Sequence, residues 1–299
     1  MLFLFQKNET CGDSLTYQII PIPVAVRNIP GRKSNSSAEL VFLAEHLPSL
    51  EFMHYYIDIQ DSVRMSTAVM TGEESKYVES KGMKIVNSSK GTSFHFNSSS
   101  NELNKLAKLD KNGRVKEVEF SQKYYYYTGY QSGSRTSGAY IFRPNEVSPI
   151  PLGEPTTSRT FEGEFFNEIH QTFFHPLDNM HVSQVIRIPR ENTSFLFDLE
   201  IEWMVGPIPI DDNKGKEYIH RIHVEGLNND GMYYTDSNGR QYMERRRNYR
   251  PDFDITDYSV EPVTSNYYPI TSSMYMEDKE TNLRLTVLID RSQGGGSIR

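Results

Sequence analysis

The most regular feature of the chain is a hydrophobic period of two. In "FLFDLEIEW", Phe195, Phe197, Leu199, Ile201 and Trp203 fall on one side of an extended backbone, and Asp198, Glu200 and Glu202 fall on the other. Successive side chains of a strand point to opposite faces, so this is the pattern of a strand with one face buried. "RLTVLID" repeats it through Leu285, Val287 and Ile289, and "ELVFLAE", "FMHYYIDI" and "SQVIRIP" read as further strands. No stretch carries the period of a convincing amphipathic helix. "SNELNKLAKL" suits a turn or two of helix or a strand equally well. Pro21, Pro23, Pro30, Pro144, Pro149, Pro207 and Pro209 interrupt any long helix. Asn112-Gly113 and Asn238-Gly239 each follow an apolar-bearing run. These residue types tolerate positive φ at both central positions of a tight turn, so each pair predicts a hairpin.

The stretch from about Asp61 to Lys81 is polar and weakly patterned, and "YQSGSRTSG", Tyr130 to Gly138, has the Ser/Gly content of a flexible loop. The predicted architecture is all-β, an antiparallel β-sandwich. Residues 1–60 form a small β-sandwich segment, 61–81 a loop or linker, and 82–299 a large β-sandwich domain.

Composition sharpens this picture. The 299 residues suffice for one large or two modest domains with a substantial core. Aromatic residues make up 12% of the chain, which favours strands. A net charge of -7 argues against nucleic acid as a partner. No apolar run reaches the roughly 18 to 20 residues of a membrane-spanning helix. With one cysteine, Cys11, no disulfide forms within the chain. Cys11 is either a free buried thiol or half of a bridge to another chain segment. "MLFLFQKNET" is a poor signal peptide, yet N-glycosylation sequons stand at Asn8, Asn35, Asn87, Asn97 and Asn192, in keeping with a secretory route.

Most catalytic signatures are absent. No nucleophile elbow, P-loop or dinucleotide fingerprint occurs. "SQGGGSIR" is glycine-rich but has no helix after it to complete a phosphate cradle. On a strand, His220 and His223 of "HRIH" point to opposite faces and cannot clamp one metal ion. Asp211, Asp212, Asp252, Asp254 and Asp257 read as solvated loop acids. The tyrosines of "YYYYTGY", Tyr124 to Tyr130, suit cross-strand packing or, alternatively, a stacking surface for sugars. Arg245, Arg246 and Arg247 stand together in an acidic chain. On a strand, Arg245 and Arg247 share a face, and positioning a loop or a domain interface through bidentate pairs is the best account of them, with direct substrate contact by one of them as the alternative.

"SGAYIFRPN" (Ser137 to Asn145), "EWMVGPIPI" (Glu202 to Ile210), "YTDSNGRQYMERRRNYRP" (Tyr234 to Pro251), "NYYPI" (Asn266 to Ile270) and "LTVLIDRSQGGGS" (Leu285 to Ser297) occur in this order. Together they resemble the carboxy-terminal β region of family 38 glycoside hydrolases of the lysosomal α-mannosidase type. "IIPIPVAVRNIPGRKSNSSAELVFLAEHLPSLEFMHYYI" resembles the segment before it. The resemblance covers most of the chain and is loosest from about Asp61 to Arg135. It implies a retaining exo-α-mannosidase that removes terminal α-mannose from N-glycan oligosaccharides in an acidic compartment, lysosomal or secreted. The family holds its catalytic aspartates and zinc ligands in an amino-terminal barrel with an H-x-D motif, and no part of this sequence matches them. The resemblance thus implies a chain with no cofactor of its own and no hydrolysis in isolation. Its partners are then the barrel domain and mannose-containing glycans, and its large sandwich is incomplete at its end. Tyr140, in the G-A-Y motif, corresponds to the tyrosine the family sets against bound mannose. Arg245, Arg246 and Arg247 match the family pattern, which implies a positioning role at an interdomain groove. The alternative is a free-standing, non-catalytic β-sandwich that binds glycans or a protein.

Overall fold

A computed structural model describes residues 2–7, 12–45, 47–59, 78–80, 83–88, 90–110, 112–133, 136–138, 141–190, 197–252 and 262–297. The described residues are all-β, arranged as antiparallel sheets. The longest α-helix among them is the four-residue Val24–Arg27. The ambiguous "SNELNKLAKL" resolves to a strand, Leu103–Leu109. Residues 60–77, most of the expected linker, lie outside the described residues, and Val78–Ser80 form a short strand. The chain forms two compact units, Met1–Glu117 with Gly153–Pro207, and Val118–Leu152 with Ile208–Arg299.

The first unit is built on two antiparallel meanders. One runs through Val78–Ser80, Met83–Asn87, Thr92–Asn97 and Leu103–Leu109. The other runs through Thr157–Phe161, Phe166–His175, Met180–Pro189 and Glu200–Val205. Alternation decides what each strand buries. Phe94 and Phe96 of the first meander are buried, and so are Ile169, Phe173, Val182, Ile186 and Ile188 of the second. Side chains tie the meanders together. Gln171 Nε2 donates to Asn101 O (2.6 Å), and Ser88 Oγ donates to Asp198 Oδ1 (3.2 Å). Trp203 and Ile201 are only half-buried because Glu200–Val205 is the edge strand of its sheet. Phe195 lies outside the described residues.

In the same unit, Gln18 of the strand Tyr17–Pro21 is a buried polar keystone, 2% exposed. Its Oε1 accepts the N–H groups of Phe165 (3.0 Å) and Phe166 (3.4 Å), and its Nε2 donates to Phe166 O (3.1 Å). Ile20, Phe165 and Phe166 form a small core beside it. A Cβ on Gly163 would fall 1.9 Å from the Gln18 amide, so only glycine leaves room for that side chain.

In the second unit, the long strand Val115–Thr128 pairs with Lys216–Val224 and with Ile150–Pro151. A four-stranded sheet runs in the order Gln241–Arg246, Met232–Ser237, Ser273–Asp278, Leu283–Leu288. The predicted hairpin at Asn238-Gly239 joins two of these strands, with φ of 52° and 66° at its central residues. Asp236 locks the turn. Its carboxylate accepts N–H groups from Gly239, Thr271, Ser272 and Ser273, and the Thr271 hydroxyl also donates to it. These donors hold the Asp236 carboxyl far below the usual carboxylate range, the Ser272 N–H foremost. The glycine run near the end is no phosphate cradle. Gln293–Gly295 is a strand paired with Tyr268–Ile270. A Cβ on Gly295 would meet Met274 Sδ at 3.0 Å, and one on Gly296 would meet Asn266 O at 2.8 Å. The glycines are there for close packing.

Candidate functional site

The segment with the G-A-Y motif leaves the end of the strand Val115–Thr128 and returns to it. Gly129 donates its N–H to Gly215 O (2.8 Å) and forms an isolated bridge with Pro144. Asn145 N–H reaches Thr128 O (2.8 Å), Tyr130 N–H reaches Arg143 O (2.8 Å), and Ser137 N–H reaches Tyr130 O (2.7 Å). Gly138 N–H donates to Ile141 O (3.0 Å), and Arg143 N–H donates to Ser137 Oγ (3.1 Å). A Cβ on Gly129 would lie 3.1 Å from Ser137 Cβ, so the glycine permits this close return. Composition suggests a flexible loop. The described parts of it are tied down instead, because backbone donors that composition cannot reveal find partners across the loop. Tyr140 lies outside the described residues, between the anchored Gly138 and Ile141 in sequence.

The tyrosine tract beneath is closed to ligands. Tyr124, Tyr125, Tyr126 and Tyr127 are all buried, which removes the reading of these four as a sugar-stacking surface. The Tyr124 ring stacks on His220 at 4.9 Å. His220 meets Gln122 Oε1 at 2.7 Å, and burial holds its pKa down to about 4, so it is neutral at pH 7. Burial also pushes the Tyr127 phenol up, with Arg221 pulling the other way. Arg221 lies over the Tyr125 ring and donates to its hydroxyl. As expected for a strand, His223 faces away from His220, and it meets Glu225 at 3.0 Å.

The arginine cluster divides three ways. Arg245 and Arg246 end the strand Gln241–Arg246, and Arg247 lies in the turn after it. Among the described residues Arg245 pairs with no carboxylate, where the sequence suggested bidentate pairing. Its guanidinium carbon stands 4.1 Å from the Tyr268 ring centre, and its Nε donates to Thr235 Oγ1 (3.1 Å). Arg250 lies over the same ring at 4.2 Å. A weakly hydrated, planar cation gains more on an aromatic face than in a solvated ion pair. Tyr233 meets Tyr268 edge-on and donates its hydroxyl to Asn266 O (2.7 Å). Burial pushes its pKa up to about 12, against the pull of Arg250 and Arg245. Arg246 is exposed, near Tyr249. Arg247 lines a cavity of about 210 Å³ with Asn228, Asn229, Asp230, Gly231 and Ser297.

The most concentrated charge in the first unit escaped the sequence reading. Glu168 is 1% exposed. It accepts from Arg187 Nε (2.6 Å) and lies 2.7 Å from His170 Nε2. Arg187 Nη1 also reaches Glu200 and Glu202, both at 2.8 Å. Burial alone would lower the Arg187 pKa, but Glu168 and Glu202 outweigh it and hold the guanidinium charged. Arg187 interrupts the apolar end of its strand, "VIRIP", and Glu168 is one of several polar residues on the strand before it. That interruption was the available signal, but only the hairpin register Glu168↔Arg187 makes it a contact. Both carboxylate oxygens of Glu168 are engaged, Oε1 by Arg187 and Oε2 by His170.

Among the described residues, no three His, Cys, Asp or Glu side chains converge as a zinc ion requires. The described residues offer no site for the zinc that the family resemblance implies. Among the sequons, Asn35 and Asn87 are exposed, and Asn97 turns its Oδ1 to the N–H groups of Ser99 (2.8 Å) and Ser100 (3.0 Å). Asn8, Asn192 and Cys11 lie outside the described residues. No helix among the described residues is long and apolar enough to cross a membrane.

Comparison with known proteins agrees with the collinear motifs. Residues 92–299 match the "Glycosyl hydrolases family 38 C-terminal domain". The lysosomal alpha-mannosidase of Cavia porcellus is 36% identical over 268 residues, covering 89% of this chain and 24% of that protein. The Bos taurus lysosomal alpha-mannosidase is 44% identical over 182 residues, 60% of this chain and 17% of that one. An alpha-mannosidase of Arabidopsis thaliana is 32% identical over 309 residues, covering 97% of this chain and 27% of the plant protein. The chain thus spans about a quarter or less of the length of these relatives. With most of its length inside the family's domain, the chain belongs to glycosyl hydrolase family 38, to the C-terminal domain of its α-mannosidases.

Proposed function

We propose that this chain is the β portion of a lysosomal-type α-mannosidase that hydrolyses terminal α-mannose from N-glycan oligosaccharides. In this reading the reactive groups, including the catalytic carboxylates and zinc ligands, come from a barrel domain that is this chain's partner. The chain itself completes the mannose pocket with Tyr140. A tyrosine suits that task, since its ring offers an apolar face to the sugar and its hydroxyl a hydrogen bond. The observation that carries the reading is the family match over 92–299, which contains the G-A-Y loop. The hydrogen-bonded frame of that loop supports it, because a binding residue needs a fixed backbone beneath it. Arg245, with its ring and hydroxyl partners, steadies the sheet, and interdomain positioning falls to Arg246 and Arg247. In this reading the enzyme is lysosomal or secreted, and the names of the lysosomal alpha-mannosidases of Cavia porcellus and Bos taurus support the first. Asn8, Asn35, Asn87, Asn97 and Asn192 are its glycan acceptors.

The test has two arms. The purified chain, given zinc and an aryl α-mannoside at acid pH, shows no turnover. Set in place of the corresponding region of the Cavia porcellus enzyme, it supports hydrolysis, and Tyr140→Ala then lowers kcat/KM by about tenfold or more, the scale of one lost hydrogen bond plus sugar packing. Sustained turnover by the chain alone, or a kcat/KM indifferent to Tyr140→Ala, overturns the reading.

A further inference from the structure

We propose that Tyr127 is a positioning residue that pins the returning arm of the G-A-Y loop to the end of its supporting strand, and through that arm steadies the loop. The inference deepens the proposed function and rests on it for its link to sugar binding. Its structural content stands by itself.

Tyr127 is the last buried member of the tyrosine tract, two residues before the loop begins at Gly129. Its hydroxyl donates to Val147 O (3.2 Å), a carbonyl on the returning arm beyond the Gly129–Pro144 bridge. Its ring packs against Phe142 on the same arm, centroids 6.4 Å apart and planes tilted by 49°. One side chain thus grips the returning arm at two points five residues apart. The outgoing arm is bound to the returning one through Tyr130 N–H to Arg143 O, and through the Ser137 hydroxyl that accepts Arg143 N–H. Gly129 lets Ser137 approach closely enough for this. On the returning arm the side chains of Ile141 and Val147 are 51% and 65% exposed. A backbone fixed from below with side chains presented above is the construction of a binding loop on a rigid scaffold. The neighbouring Tyr125 is also buried, but its hydroxyl meets Arg221 on the paired strand.

The test is amide hydrogen exchange on the full chain, resolved at Tyr130, Ser137, Gly138 and Asn145, whose N–H groups hold the loop frame. Tyr127→Phe removes one hydrogen bond and keeps the ring. We expect these amides to exchange about fivefold faster, the factor for one lost hydrogen bond in a local opening. Amides of the Phe166–His175 strand keep their rates. Gly129→Ala, which pushes on Ser137, speeds the same four amides. Tyr125→Phe, which loses the hydroxyl that meets Arg221, does not speed them relative to the Lys216–Val224 strand. Unchanged loop amides in Tyr127→Phe overturn the proposal, whatever Gly129→Ala does. Equal acceleration by Tyr125→Phe overturns it too, since that result means general destabilisation. Because exchange is read without substrate, the anchor can hold while the sugar-binding reading fails in the Tyr140→Ala arm, and the two failures stay distinct.

Discussion

The Glu168–Arg187 pair is where a single substitution should do most harm to the first unit. Arg187→Met deletes the guanidinium and leaves the Glu168 carboxylate, 1% exposed, with His170, 2.7 Å away, as its remaining partner in this cluster. Two unit charges about 4 Å apart at an effective dielectric of about 20 attract by about 4 kcal/mol. Removing one partner of a buried pair typically costs about 3–5 kcal/mol for the same reason. The outer pairs add little, because the Glu200 and Glu202 side chains are 44% and 60% exposed and water screens them. Each contributes under about 1 kcal/mol. The expected loss is therefore about 3 kcal/mol, nearly all of it from Glu168. Converting both residues, Glu168→Gln with Arg187→Met, should return to within about 1–2 kcal/mol of the parent, since no charge is then left buried. Urea unfolding at pH 7 followed by fluorescence measures this directly. Trp203 is the sole tryptophan and sits in the same sheet, paired with Gln184. With a slope of about 2 kcal/mol per molar urea, the single variant should shift the midpoint down by about 1.5 M. A shift under about 0.5 M, or a double variant as weak as the sum of the two singles, would show that Glu168 is not held as a buried charge.

Gly163→Ala should cost about 1–3 kcal/mol by urea unfolding, because the new methyl must evict a Gln18 amide that holds three backbone groups. Pairing it with Gln18→Ala should add much less than the two losses summed. His220 is neutral in the fold and protonates in the unfolded chain below about pH 6.5, so the second unit loses stability as pH falls from there towards its folded value of about 4. His220→Gln should flatten that limb in thermal melts followed by circular dichroism across pH 4–7. Asp236 acts with the same sign in a lower pH window. Its carboxyl is held low in the fold, so its contribution is present above the unfolded value near 4 and is lost only on stronger acidification. Asp236→Asn should speed exchange of the Gly239, Thr271 and Ser272 amides at pH 6, and the difference from the parent should shrink below about pH 4.

Much of the secondary structure was legible before any coordinates. Alternation in "RLTVLID" returns as the strand Leu283–Leu288, with Leu285 and Val287 half-buried and Arg284, Thr286 and Leu288 exposed. Asn238-Gly239 makes its turn because few other residue pairs accept two positive φ values in succession. The family was legible too, because long collinear motifs survive where short patterns do not discriminate. The site was far less so. Tyr140, the one residue assigned to the sugar, lies outside the described residues, while Tyr127 looked like any of four neighbouring tyrosines.

Local chemistry sets strand character, turn position and which residues alternate together, since each depends on a few adjacent dihedrals and side chains. The sequence alone therefore determined an all-β chain with its hairpin turns, and its collinear motifs pointed to the family. Only the tertiary structure decided that the tyrosine tract is a foundation and not a ligand surface, that Arg245 rests on Tyr268, and that Glu168 meets Arg187 and Gln18 meets Phe166. Gln18 and Phe166 are 148 residues apart in the chain. Such partners are chosen by strand register and by which face is covered, and both follow from the cooperative packing of whole sheets, which no local window of residues contains.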